Sequence, residues 1–460
     1  MCAALSRILA TLIVVTGPVW AASAAPDDMS PAATDDTPAY DAPVPVVSDI
    51  PIANPDALKP YFEALTTEAP VRVLHVGDSH IARDTFSGDL RALIGEAQGD
   101  GARGMVPAGL VYPFFEARGV ELDMSEGWEV MRARDDTAEG PFGLMNARVE
   151  AAAGADPWIA LSGFEAPVDR LLIGYLRQAG GGAIQVRVGT ALHAVPTAAD
   201  DGRGTQGPAF AALPVPAGTQ LVRLSAAGDG PVTLFSLILE ADGNGAVLSN
   251  SGWPGATAEI MARWDDDLLR LELARLAPDL IIVSYGTNEG FDDALDLAAY
   301  ETVLRAQLAR LRTFAPGAAI LLTGGPDGTR LPFYADTDAR EFFEWSCTPL
   351  SDVERQNYDA LIMAESESLL RWHDPPMLDA LLALQRRVGA DMDLAHWNWR
   401  KAMGGPCAVH DWRLGDPQWA RPDHVHLTGE GYAASARALK SALNGAFVAW
   451  QQGREGSRVP

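Results

Sequence analysis

A short apolar strand, Val71–Val76, runs into the turn Gly77-Asp78-Ser79, and a helical pattern follows with Phe86, Leu90, Leu93 and Ile94 on one face. Strand, tight turn and helix in under thirty residues constrain this chain more than any other feature. They predict a parallel α/β unit with Ser79 above the carboxyl edge of a sheet, where open α/β folds bind ligands. Backbone N–H groups at the start of such a helix point at any bound oxyanion. Ser79 is therefore a candidate nucleophile.

The same texture returns later. Leu280–Tyr285 is a continuous apolar run, as a buried parallel strand requires. Ala258–Leu276 and Leu297–Phe314 read as helices, Ala319–Thr323 as a strand, and Gly429–Trp450 as a last helix with Thr428 at its N-cap position. Between these parts the chain is rich in glycine. Ile184, Val186 and Val188 alternate with Gln185 and Arg187, and Leu171–Leu176, Leu221–Leu224 and Val232–Leu239 are short apolar runs between turn residues. This is the pattern of an antiparallel sandwich. The expected architecture is a doubly wound, flavodoxin-like three-layer α/β/α domain over 56–110 and 245–450. A β-sandwich, 111–244, interrupts it, and 451–460 form a tail.

The first 24 residues read as a signal peptide. Arg7 precedes an apolar run of about 13 residues, shorter than the roughly 20 a membrane span needs, and Ala22-Ser23-Ala24 is a small-residue cleavage site. Residues 25–55 read as a disordered acidic leader rich in Pro and Ala. These features place the protein in the periplasm or outside the cell, without stable membrane insertion after cleavage. Lys and Arg number 35 against 61 Asp and Glu, a net charge of −26, which argues against nucleic acid as a partner. Beyond Cys2 the chain has Cys347 and Cys407. They are compatible with one disulfide around a loop of about 60 residues; the alternative is two buried thiols.

Three further segments are expected at the same sheet edge as Ser79. Asn250–Ala256 is a glycine-containing loop in which Gly255 can offer its N–H. Tyr285-Gly286-Thr287-Asn288-Glu289 ends the buried strand and presents the carboxamide of Asn288. Asp423-His424-Val425-His426 precedes the last helix. Acyl transfer by serine needs a base, a carboxylate that fixes the tautomer of that base, and donors for the oxyanion. Asp423 and His426 supply the first two from one loop. The N–H groups of Ser79 and Gly255 and the amide of Asn288 supply three donors. His424 with His426 could instead begin a metal site, but no further ligand cluster accompanies them. No metal and no cofactor is expected.

Gly77-Asp78-Ser79, Gly255, Asn288 and Asp423-x-x-His426 resemble, in order, the four blocks of the GDSL or SGNH hydrolases. The resemblance implies Ser79 as nucleophile, His426 as base, Asp423 as its orienter, and an oxyanion hole of Ser79, Gly255 and Asn288. Glu289 departs from it, since many members carry Asp there. The β insertion, together with Trp397-Asn398-Trp399 and Met403-Gly404-Gly405, is similar to the periplasmic peptidoglycan O-acetylesterases, which carry a sandwich like a carbohydrate-binding module. That implies a serine esterase removing the C6 O-acetyl group of N-acetylmuramic acid in a cell-wall glycan. An O-acetyltransferase on the same machinery and a non-catalytic glycan-binding protein are the alternatives. Trp397, Trp399 and Trp412 either stack on a sugar or cover a core edge. Arg103, Gly104 and Met105 are expected at the cleft rim, His80 as a hydrogen-bonding neighbour of the nucleophile or a substrate contact, and His424 turned away from Ser79.

Overall fold

The computed structural model describes residues 44–199, 205–336 and 346–456. The expected signal peptide and most of the expected acidic leader lie outside them. Five parallel strands form the central sheet in the order Ala246–Gly252, Val71–Gly77, Leu280–Ser284, Ala319–Leu322, Ala395–His396. In chain order this is 2-1-3-4-5, the flavodoxin-like doubly wound topology, whose switch point lies between the first and third strands. Ser79 follows one of these strands and Asn288 the other.

Alternation along the strands builds two cores. Leu74, Val76, Ile281, Val283, Ile320 and Leu322 face one layer. Val71, Val73, Leu280, Ile282, Ala319 and Leu321 face the other, against helices Thr85–Gln98 and Gly429–Gly456. The first layer is continuous with the interior of the inserted part. There, two antiparallel sheets stack: one includes Arg170–Arg177, Val232–Glu240 and Ala147–Ala151, the other Trp158–Ser162, Leu221–Ala226 and Ala183–Val188. Ile184, Val186 and Val188 are buried between them, with Gln185 and Arg187 exposed.

Four boundaries differ from the sequence expectation. Gly104–Pro107 already pairs antiparallel with Leu239–Ser236, so the antiparallel part begins before residue 111. Residues 47–54, expected in the disordered leader, are anchored: Ser48 N–H donates to Ala402 O, Ala53 exchanges backbone bonds with His396, and Ile52 is buried. The helix expected over Ala258–Leu276 is divided into a 3-10 segment, Ala258–Arg263, and an α-helix, Asp266–Leu276. The Asp265 carboxylate caps the second by accepting from the N–H groups of Asp267 and Leu268. The last helix continues past Trp450 to Gly456, and the Thr428 hydroxyl accepts from Gly431 N–H at its start.

Cys347 and Cys407 are bonded, with Cα atoms 5.7 Å apart and a sequence separation of 60. Closing such a loop contributes about 4 kcal/mol on the chain-entropy account. Among the described residues no helix is long and apolar enough to cross a membrane.

Glu272 fastens the two parts together. It projects from Asp266–Leu276, is fully buried, and accepts from the Ser236 hydroxyl at 3.0 Å and from Leu144 N–H at 2.6 Å. Burial pushes its carboxyl up to about 7, against those hydrogen bonds. The unfolded chain ionises this group above about 4.3 while the native state keeps its proton, so its contribution to stability falls as pH rises from there to about 7. Glu272→Gln keeps an acceptor for Leu144 and cannot ionise. Urea unfolding is expected to show the variant gaining about 3 kcal/mol on the parent between pH 4.5 and 8. A difference that stays constant with pH would contradict this.

Candidate active site

Gly77 ends its strand against the neighbouring one: a Cβ there would stand 2.6 Å from Ser284 O and 2.5 Å from the Ile81 side chain, so only glycine permits the turn. The Asp78 carboxylate accepts from His80 N–H at 3.0 Å and fixes the turn that lifts Ser79. Burial pushes Asp78 up to about 6, against hydrogen bonds from His80 and Thr287.

His426 reaches Ser79 from 347 positions away. Its Nε2 lies 2.9 Å from Ser79 Oγ, and its Nδ1 lies 2.8 Å from Asp423 Oδ2. A carboxylate only accepts, so Nδ1 carries the proton and Nε2 is left to accept from the serine hydroxyl. The other oxygen of Asp423 accepts from Val425 N–H at 3.0 Å and His426 N–H at 2.9 Å. Partial burial pushes Asp423 up, but the hydrogen bonds from His426 and Val425 outweigh it and hold the carboxyl at about 2. The arrangement can take a proton from Ser79 and stabilise the resulting imidazolium.

His80 packs beside His426, with ring centroids 5.2 Å apart, and its Nδ1 is 3.0 Å from the Tyr432 hydroxyl. Burial, then the neighbouring His426, holds His80 well below the usual histidine range. It stays neutral and adds no charge beside the base.

The three expected donors lie after three strands of the central sheet, Ser79 after Val71–Gly77, Gly255 after Ala246–Gly252 and Asn288 after Leu280–Ser284. Gly255 has φ +73°, a conformation that glycine adopts without strain. Among the described residues neither Ser79 N–H nor Gly255 N–H has a protein acceptor. Asn288 Nδ2 donates one hydrogen to Ala256 O at 2.7 Å, which leaves its second hydrogen to offer. Glu289, buried beside it, accepts from Ala258 N–H at 2.8 Å. Burial pushes Glu289 up to about 8, and the nearby Asp78 adds to the effect. Asn288 and Glu289 thus pin both ends of the 256–258 segment. Sequence reading noted Glu289 only as a departure and missed this role; its position directly after Asn288 was the available signal.

Other expectations are corrected. Trp397, Trp399 and Trp412 are at most 1 % exposed and pack in the core, Trp399 against Phe86, so they cannot stack on a sugar. Arg103 is no rim residue. It is buried, pairs with Asp84 at 3.0 Å, and donates to Leu248 O and Asn250 Oδ1. Met105 is fully buried. Asn250–Gly252 belong to a strand rather than a loop. His424 turns away from Ser79 and stacks on Trp372 at 3.5 Å, so it does not converge with His426 on an ion. No group of three or more metal-ligating side chains occurs among the described residues.

Residues 217–434 match the GDSL-like lipase/acylhydrolase family, a stretch that holds Gly255, Asn288, Asp423 and His426. No curated protein matches the chain. Among solved structures, a peptidoglycan O-acetylesterase superposes with a TM-score of 0.65 at 22% identity, covering 85% of this chain and 96% of its own. A lipase/acylhydrolase from Enterococcus faecalis aligns at 18% identity over 44% of this chain and 77% of its own, TM-score 0.27. A family two carbohydrate esterase from Cellvibrio japonicus aligns at 14% identity over 71% and 98%, TM-score 0.25. The family match thus covers residues 217–434, just under half of the chain, and the fold of the peptidoglycan O-acetylesterase is shared along most of its length.

Proposed function

We propose that this protein is an exported serine esterase that removes O-acetyl groups from a carbohydrate polymer, and that the polymer is peptidoglycan acetylated at C6 of N-acetylmuramic acid. The observation that carries the reading is the unbroken hydrogen-bond chain from Ser79 Oγ through His426 to Asp423. Ser79 attacks the acetyl carbonyl as its proton passes to His426 Nε2. The oxyanion is held by the N–H groups of Ser79 and Gly255 and by the Asn288 amide. His426 returns the proton to the departing sugar oxygen, and water, deprotonated by the same histidine, clears the acetyl-enzyme. The likeness in fold to a peptidoglycan O-acetylesterase supports the choice of polymer. The Cys347–Cys407 bond supports an oxidising compartment such as the periplasm.

The test uses purified protein and its Ser79→Ala variant, with 4-nitrophenyl acetate and with O-acetylated peptidoglycan. Ser79-dependent release of nitrophenol, and of free acetate from the glycan, is the expected result. Acetate transferred to an added sugar instead of to water would make the enzyme a transferase. Activity that survives Ser79→Ala would exclude Ser79 as the nucleophile, and no release above background from either protein would leave a binding protein.

A further inference from the structure

Arg134 follows strand Glu129–Arg132 in the inserted part, yet its guanidinium reaches the loop before Ala258. Its Nη1 donates to Pro254 O at 3.0 Å. A Cβ built on Gly255 would meet Nη1 at 3.3 Å and Nη2 at 3.8 Å, so the cation lies against the very residue assigned to the oxyanion hole. The side chain is exposed, and among the described residues it forms no ion pair. A guanidinium has five N–H donors, and this one has given up a single bond.

A groove of about 450 Å³ opens beside it, lined by Ala133, Arg134, Asp136, Glu259, Arg263 and Val303 together with Gly255. Arg263 is already occupied, donating to Ala138 O and lying over the Phe142 ring. Arg263 is half-buried and held against that ring, so Arg134 is the exposed cation of this groove. An acetyl carbonyl held at Gly255 N–H leaves the rest of its polymer to run past that loop, and the groove adjoins the loop on the Arg134 side.

We infer that this groove is a subsite for the polymer flanking the scissile ester, and that Arg134 takes a carboxylate of that polymer in its planar fork. The inference rests on the proposed role of Gly255. The ligand class is an acidic glycan, with a carboxylate on a substituent close to the acetylated hydroxyl. A chain of net charge −26 repels a polyanion at long range, so a cation beside the reacting carbonyl is where local attraction has the most effect. The insertion then takes part in substrate recognition by supplying this side chain.

Binding to the Ser79→Ala protein tests the inference without turnover. The ligands are soluble O-acetylated peptidoglycan fragments, which carry carboxylates, and O-acetylated chito-oligosaccharides, which carry none. Each is titrated calorimetrically at low and moderate salt, with and without Arg134→Gln. Glutamine removes the charge and, being two bonds shorter, the bond to Pro254 O, so the neutral ligand reports loss of loop support and the difference between ligands reports anion recognition. The expected result is a roughly fivefold loss of affinity for the acidic fragments relative to the neutral ones, and a flatter salt dependence. Equal losses for both ligands would mean that Arg134 only props the loop, and would overturn the inference. So would no loss, or no measurable binding of the acidic fragments to Ser79→Ala. Failure of the esterase reading is seen separately, as activity that survives Ser79→Ala.

Discussion

His426→Ala is expected to lower kcat for ester hydrolysis about a million-fold, and Asp423→Asn about ten-thousand-fold, with the fold retained in both. In the proposed mechanism the His426 ring takes the proton of Ser79 through one hydrogen bond of 2.9 Å, and nothing else among the described residues stands ready to replace it. His80 is near enough in space, but its Nδ1 meets the Tyr432 hydroxyl and its ring is held neutral by burial. Asp423→Asn is the more informative variant. An amide oxygen still accepts from Val425 and His426 N–H, so the turn survives, but the carboxamide stabilises no imidazolium and allows the wrong tautomer. Steady-state rates with 4-nitrophenyl acetate, beside circular dichroism of each variant, make the check. A His426→Ala protein within tenfold of the parent would refute the assignment.

The pH response has a defined sign. The folded-state value of Asp423 is depressed, so its interactions are fully present above about pH 4 and are lost as pH falls through about 2. The carboxylate proposed to orient the base therefore stays charged across the whole range in which an esterase is ordinarily assayed. Loss of activity at mildly acidic pH has to arise elsewhere in the site.

The parts of this molecule legible in the sequence are those whose determinants are local. Strand Val71–Gly77 and the run at Leu280 announce themselves by continuous apolar residues, because both faces of a parallel sheet are covered. Asp423 and His426 are three positions apart, so one turn brings them together. Ser79 and Asn288 sit directly after adjacent strands, so topology alone carries them to one edge. Arg134 was illegible for the opposite reason: its partner Pro254 is 120 positions away, and an exposed arginine in a glycine-rich insertion has no local mark. The tryptophans were ambiguous because an indole that packs in a core and one that stacks on a sugar have the same composition and spacing. Only burial separates them. At 47–54, Pro and Asp masked the anchoring apolar residues Val47, Ile50 and Ile52, which pack against one layer of the fold.

Asn288→Ala is expected to lower kcat one hundred- to one thousand-fold and to change KM little, because an oxyanion donor acts when charge develops rather than when the ester binds. The substitution removes the hydrogen that Asn288 offers to the oxyanion and also its bond to Ala256 O. Collapse of the neighbouring loop is not expected, since Glu289 still accepts from Ala258 N–H and Arg134 still donates to Pro254 O. Asn288→Asp sharpens the reading. A carboxylate cannot donate to Ala256 O, and it sets negative charge where the oxyanion must form, so its rate should fall below that of the alanine variant. If Asn288→Ala instead raised KM and left kcat near the parent value, Asn288 would be a ground-state contact, and the hole would consist of the Ser79 and Gly255 N–H groups alone.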